Sequence, residues 1–235
     1  MPGYDRTVPS DDGIQCSIQA MIFDLDGVIV DTEPAWERAR RQVVAENGGS
    51  WLPDAQQRLM GMSTAEWSRY LSEDLGVRMP PEAVAAAVID RMSAGYRDRV
   101  PLLPGAADVV RTMAERWPLG LASSSPPVLI DAALAGAGLA GLFAVTVSTE
   151  QVARGKPAPD VYLTVVDRLG FAPGQCAAVE DSTNGLKSAS AAGLHVIAVP
   201  QHEYPPDPAA LDAAELVLTS LADLTVDAVC QLGAS

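Results

Sequence analysis

Positive charge is scarce in this chain. Its 235 residues hold 16 Lys and Arg against 30 Asp and Glu, a formal net charge of −14. Phosphate backbones and anionic lipid surfaces reward clustered Lys and Arg, so neither a nucleic acid nor a membrane is expected as a partner. Only two of the cations are lysines, Lys156 and Lys187, so the position of each carries information. Histidine is equally sparse: His195 and His202 are too few for a His-rich metal centre. The three cysteines, Cys16, Cys176 and Cys230, are odd in number, far apart, and show neither zinc spacing nor a C-x-x-C pair. Reduced thiols in a cytoplasmic protein are the simplest expectation. No apolar run approaches the ~20 residues that span a bilayer. The polar start, Met1 to Gly13, lacks a signal-peptide core, and residues 1–17 are expected to form a mobile tail.

What is present is a large apolar fraction, 48% of the residues, ample for a sizeable core. Ile18 to Phe23 reads as a buried strand running into Asp24-Leu25-Asp26-Gly27, where the glycine permits a sharp turn. Asp31-Thr32-Glu33-Pro34 then opens a helix carrying Trp36, Ala39, Val43 and Val44 at helical spacing. Ser63-Thr64-Ala65-Glu66 is a capping-box pattern for a second helix, and Pro80-Pro81 starts another with Val84, Val88, Met92 and Tyr96 on one stripe. From about Thr32 to Pro101 the pattern is helical, without a convincing strand. After Pro104-Gly105 helices and strands alternate, with strands at Leu119–Ala122, Phe143–Val147, Ala177–Glu180, His195–Val199 and Leu216–Leu218. Alternation of this kind implies a parallel sheet covered on both faces. The expected architecture is a Rossmann-like α/β core (residues 18–31 and 102–235) with an inserted α-helical domain (residues 32–101).

Ligands of open parallel sheets bind beyond the carboxyl ends of the strands, and four polar clusters fall there. The first strand ends in Asp24 and Asp26, another in Ser123-Ser124-Ser125, another in Glu180-Asp181-Ser182; Gly155-Lys156-Pro157 follows the strand near Phe143–Val147. Asp24 and Asp26, two apart in an extended segment, send their side chains to the same side. With Glu180 and Asp181 they make up to four carboxylates, which repel without a cation. Oxygen-only ligands favour Mg²⁺, which prefers to share its shell with substrate phosphate. Ser123, Ser124 and nearby backbone N–H groups suit phosphate oxygens, and Lys156 can neutralise both phosphate and nucleophile. Such a set suits phosphoryl transfer, where positioning and charge neutralisation supply most of the catalysis. Lys187, on the following helix, reads as solvated, and His195 as packed or surface.

Asp24-Leu-Asp-Gly-Val-Ile-Val-Asp31-Thr32 resembles the first motif of the haloacid-dehalogenase-like hydrolases. Ser123 matches the second motif, Lys156 in Gly-Lys-Pro-Ala-Pro-Asp the third, and Glu180-Asp181-Ser182 the fourth. All four occur in order, framing roughly Ile18 to Val199, and are most similar to the branch of β-phosphoglucomutases, sugar phosphatases and phosphoglycolate phosphatases. The resemblance implies that Asp24 attacks phosphorus to give an aspartyl-phosphate and that Asp26 protonates the leaving oxygen and then activates water. It also implies that Mg²⁺ is held by Asp24, Asp26 (through its backbone carbonyl) and Asp181, with Glu180 near or in the shell.

In that family the helical insert is a cap that closes over the core and reads the leaving group. Phosphonatase relatives need a cap lysine, and none occurs between Thr32 and Pro101; dehalogenase relatives lack the second aspartate, here Asp26. Mutases of the branch carry a histidine where this chain has Trp36, and Lys-Gly-x-Ser-Arg where it has Met60-Gly61-Met62-Ser63-Thr64. A mutase must hold a second phosphate in the cap, which favours fixed positive charge; Arg58 is a candidate replacement. The resulting expectation is a monomeric phosphatase of a small phosphorylated metabolite, with Thr32, Trp36, Met60 and Thr64 as candidate cap contacts. A phosphomutase and a non-catalytic binding module stay open as alternatives.

Overall fold

The computed structural model describes residues 16–59, 62–203 and 205–233. The expected tail up to residue 15, and the candidate contact Met60 with its neighbour Gly61, lie outside the described residues. In chain order the elements are β1 (Ala20–Phe23), α1 (Glu33–Glu46), α2 (Ala55–Leu59), α3 (Thr64–Glu73), α4 (Pro81–Asp98), α5 (Ala106–Arg116), β2 (Leu119–Ser123), α6 (Pro127–Gly136), β3 (Phe143–Ser148), α7 (Asp160–Leu169), β4 (Cys176–Glu180), α8 (Thr183–Ala191), β5 (His195–Ala198), α9 (Pro208–Leu211), β6 (Leu216–Val217) and α10 (Val226–Cys230).

The strands form one six-stranded sheet in the order β3-β2-β1-β4-β5-β6, and every pairing is parallel. Alternate residues of each strand serve opposite faces, as the pleat requires. Met21, Phe23, Leu119, Leu121, Ala177, Val179 and Ile197 join one buried cluster; Ala20, Ile22, Ala122, Ala178, Val196 and Ala198 join the other. The second cluster is closed by Val161, Tyr162 and Val165 of α7 and Leu186 and Ala189 of α8. The first continues into α5 and α6 and outward into the helical insert through Trp36, Val43, Trp67, Leu71, Val88 and Tyr96. Among the described residues none is long and apolar enough, as a helix, to cross a membrane.

Residues 33–98 are helix and loop, and the capping box at Ser63 forms as its spacing predicts: the Ser63 side chain meets the Glu66 backbone while the Glu66 carboxylate returns to Ser63. The two chain crossings that join this helical layer to the sheet run side by side. Asp31 N–H donates to Pro101 C=O at 2.7 Å and Leu103 N–H to Ile29 C=O at 3.0 Å. Thr32 is the N-cap of α1, and its side chain makes no capping hydrogen bond.

The expectation of three reduced thiols fails for two of them. Cys16 and Cys230 are joined in a disulfide that closes the two ends of the chain; Cys176 alone is free, and buried. Sequence spacing hides this pair because its members lie 214 residues apart and are brought together only by the tertiary fold. The same contact corrects the boundary of the tail: Ser17 Oγ donates to Leu232 C=O at 3.2 Å, so residues 16 and 17 are anchored to the C-terminal segment.

Candidate active site

β1 delivers Asp24 to the carboxyl edge of the sheet, where its backbone N–H donates to Val179 C=O of the neighbouring β4 at 3.0 Å. β4 itself ends in Glu180, followed by Asp181. Asp24, Glu180 and Asp181 each place a carboxylate oxygen within 4.8 Å of the others. Gly27 makes this approach possible. Its φ of 77° is left-handed, and a Cβ there would collide with the Asp181 carboxylate.

Lys156 holds the cluster together. Its ammonium is 2.5 Å from Glu180 Oε1 and 3.0 Å from Asp24 Oδ1, and it donates to Ala122 C=O at 3.0 Å. Burial opposes its charge, but Asp24 and Glu180 outweigh burial and push its pKa upward. Asp24 is pushed up to about 8, first by burial, against the lowering charge of Lys156 and with the repulsion of Glu180 and Asp26 added. Asp181 is raised as well, by burial and then by Glu180 and Asp24. Asp24 Oδ1 is enclosed, with the Lys156 ammonium 3.0 Å away as its charge partner. Three crowded carboxylates around a single ammonium leave negative charge in excess, a fit for a hard divalent cation.

The two aspartates of the first motif have different partners. Asp26 is not in the three-carboxylate cluster; its Oδ2 accepts from Ser125 Oγ at 2.8 Å and Ser123 Oγ at 3.2 Å. Ser123 is fully buried and its Oγ also accepts from Ser125 N–H at 3.0 Å. Ser124 and Ser125 line the open cleft, whereas Ser123 lies beneath it. Glu180 is likewise occupied. Besides Lys156, its Oε1 accepts from Tyr162 Oη at 2.7 Å, and its Oε2 accepts from Asp181 N–H at 3.2 Å and Ser182 Oγ at 3.3 Å. That leaves Asp24 and Asp181 as the freer carboxylates.

Above the cluster opens a cleft whose far wall is the helical insert: Thr32, Glu33, Trp36, Arg40, Gln56, Met62, Thr64 and Trp67 face Asp24, Asp26, Ser125, Lys156 and Asp181. Thr32 and Trp36 are buried in that wall. Thr64 Oγ1 donates across to Glu150 Oε1 on the sheet side at 3.2 Å. Arg58 does not enter the cleft; it is exposed and paired with Asp54 at 2.8 Å. Arg40 and Arg69 are the cations of the helical insert that line it. The sequence alone assigned no site role to Ser125, Tyr162, Gln201, Glu33 or Arg40. Glu33, Trp36 and Arg40 recur three and four residues apart, one helix face, and that spacing was the available signal. Gln201, whose side-chain amide donates to Gly27 C=O, gives no such signal, because the contact joins residues 174 positions apart.

Residues 18–193 match the family model described as "haloacid dehalogenase-like hydrolase". The plasmid protein CbbY of Cupriavidus necator is 36% identical over 88% of this chain and 87% of its own. Hexitol phosphatase B of Escherichia coli K12 is 35% identical over 88% of this chain and 95% of its own. The crystal structure of CbbY from Rhodobacter sphaeroides in complex with phosphate superposes with a TM-score of 0.81 at 28% identity, covering 92% of this chain and 100% of that one. With the fold, the ordered motifs and the match over three quarters of its length in agreement, this chain belongs to the haloacid dehalogenase-like hydrolases.

Proposed function

We propose that the chain is a Mg²⁺-dependent phosphatase of small phosphorylated sugars or sugar alcohols, with Asp24 as nucleophile and Asp26 as general acid and base. The observation that carries this reading is the division of labour between the two aspartates. Asp24 sits beside Lys156 and in the carboxylate cluster with Asp181, while Asp26 lies outside that cluster, its Oδ2 held by two serine hydroxyls and its Oδ1 enclosed without a donor. The names of the similar proteins, hexitol phosphatase among them, support the substrate class.

Asp24 and Asp181, with Glu180 beside them, are the side chains that would hold the ion. Bound there, Mg²⁺ would neutralise charge on the phosphoryl oxygens and on the crowded carboxylates. In the first step an Asp24 carboxylate oxygen attacks phosphorus. The bond from phosphorus to the ester oxygen breaks, and that oxygen leaves with the electron pair and takes a proton from Asp26. In the second step a water oxygen attacks the phosphorus of the Asp24 acyl phosphate and gives its proton to Asp26, and the Asp24 carboxylate departs as phosphate forms. Lys156 keeps positive charge beside both the nucleophile and the transferred group. Ser123 and Ser125 fix the Asp26 carboxyl for the two proton transfers. Ser124 lines the cleft where phosphate oxygens would arrive. Helices α1 to α4 act as the cap, and the Thr64–Glu150 hydrogen bond is one of the contacts that close it over the core. Every residue in this scheme comes from one chain.

The test is phosphate release from a panel of phosphate monoesters with Mg²⁺, with EDTA and Asp24→Asn as controls. Mg²⁺-dependent release that vanishes in the variant supports the reading. Quantitative isomerisation of a sugar phosphate without release would instead mark a phosphomutase.

A further inference from the structure

The cap wall holds polar groups that the hydrolytic scheme does not use. Arg40 is 6% exposed and its guanidinium carbon lies 4.9 Å from the Trp36 ring centre and 5.3 Å from that of Trp67. The two rings meet edge to face at 5.9 Å and form a stiff seat for the guanidinium. Among the described residues Arg40 has no ion pair within 4.0 Å, and its Nε is enclosed with no acceptor. Burial pulls its pKa down to about 10, against the field of Glu33 and Asp26. Beside it, Gln56 donates to Glu33 Oε2 at 2.9 Å, while Gln56 Oε1 is buried without a donor. All three side chains line the cleft that faces Asp24.

An orphaned donor and an orphaned acceptor in one wall, each costly when left unmade, call for a ligand that both accepts and donates. Hydroxyl groups do both. A second phosphate would satisfy Arg40 alone, and it would enter a wall where Glu33, Glu37, Glu66 and Glu82 outnumber Arg40 and Arg69. We propose that Glu33, Gln56 and Arg40 form a hydroxyl-reading subsite that binds the neutral, polyhydroxylated part of a monophosphate and rejects a second phosphate group. Glu33 accepts from one hydroxyl, Gln56 Oε1 accepts from a neighbouring one, and Arg40 donates to a hydroxyl oxygen. The Trp36 and Trp67 rings hold Arg40 in line. This rests on the placement of the reacting phosphate at Asp24.

The experiment compares kcat/KM for a hexitol monophosphate, a sugar bisphosphate and p-nitrophenyl phosphate in wild type, Glu33→Gln and Arg40→Met. p-Nitrophenyl phosphate carries no hydroxyl and reports the Asp24 chemistry alone. Wild type is expected to prefer the hexitol monophosphate to the bisphosphate at least fivefold. In each folded variant the ratio of hexitol phosphate to p-nitrophenyl phosphate is expected to fall at least fivefold, mainly through KM. A smaller fall, or wild-type preference for the bisphosphate, overturns the subsite. Should Arg40→Met fail to fold, Glu33→Gln, at the half-buried first turn of α1, carries the test. Loss of the phosphatase reading itself would show separately, as no Mg²⁺-dependent release from any ester.

Discussion

Lys156 and Glu180 form an ion pair of 2.5 Å in which the lysine is 5% exposed and the glutamate 0%. Both charges have been taken out of water, so each depends on the other. Removing one partner of such a pair costs ~3–5 kcal/mol because the survivor is left buried and uncompensated. Lys156→Met is therefore expected to lower stability by that order and to abolish phosphate release. Glu180→Gln added to it should recover much of the stability but none of the activity, since Lys156 also faces Asp24 at 3.0 Å. Urea unfolding and phosphate release on the two single variants and the double variant measure both effects.

Asp24 separates structure from chemistry in the opposite way. Its carboxyl is buried beside Glu180 and Asp26, and burial is the main cause that lifts it to about 8. A carboxyl whose folded pKa is raised destabilises the fold as pH climbs from its unfolded value toward the folded one. Asparagine keeps the shape and removes that titration. Asp24→Asn is expected to be inactive yet at least as stable as wild type in EDTA at pH 8, with the difference shrinking toward pH 4. Melting temperatures at the two pH values check it, and a large loss of stability at pH 8 would contradict it.

Much of the sheet was legible because its strands are short apolar runs between turn signals, and the structure moves their ends by one or two residues. The order β3-β2-β1-β4-β5-β6 was not legible, since it follows from crossover connections rather than from any one segment. Asp24, Lys156, Glu180 and Asp181 were legible as a set because four loops at one sheet edge leave few arrangements. The roles within the set were not: that Tyr162 donates to Glu180 at 2.7 Å, or that Ser125 and not Ser124 holds Asp26, depends on side-chain directions that periodicity does not encode. α2 was missed because its five residues, Ala55–Leu59, are too few for a helical period to register. Arg40 was missed because an arginine among Glu37, Arg38 and Arg41 reads as a solvated face, and only the approach of Trp67 from α3 encloses it.

Gly185 tests how tightly the second carboxylate is seated. It lies in the first turn of α8, and a Cβ there would overlap the Glu180 carboxyl group. Overpacking of a filled site costs ~1–3 kcal/mol, and here the displaced group is the one that anchors Lys156. Gly185→Ala is expected to destabilise by about that amount and to lower kcat more than stability alone explains. The control is Gly174→Ala, where a Cβ meets nothing within 4 Å. Comparable losses in both variants would mean that the carboxylate seat is not the cause.

The disulfide between Cys16 and Cys230 makes a prediction about the thiols and about the ends of the chain. Only Cys176 is free, and it is buried, with burial raising its thiol to about 11. Native oxidised protein should therefore titrate close to zero reactive thiols, denatured oxidised protein one, and denatured reduced protein three. Because the bond closes nearly the whole chain, its loss frees the unfolded ensemble, and engineered and native bridges of this kind contribute ~0–5 kcal/mol. Cys16→Ser is expected to lower the melting temperature in oxidising buffer and to match wild type once reductant is added. The site is built from β1, β2, β4 and the loop carrying Lys156, with Ser17 and Leu232 at the far side of the pairing, so phosphate release below the melting temperature should change less than twofold. Three reactive thiols in the denatured oxidised chain would show that the two cysteines are neighbours without a bond, and the stability difference should then vanish in both buffers.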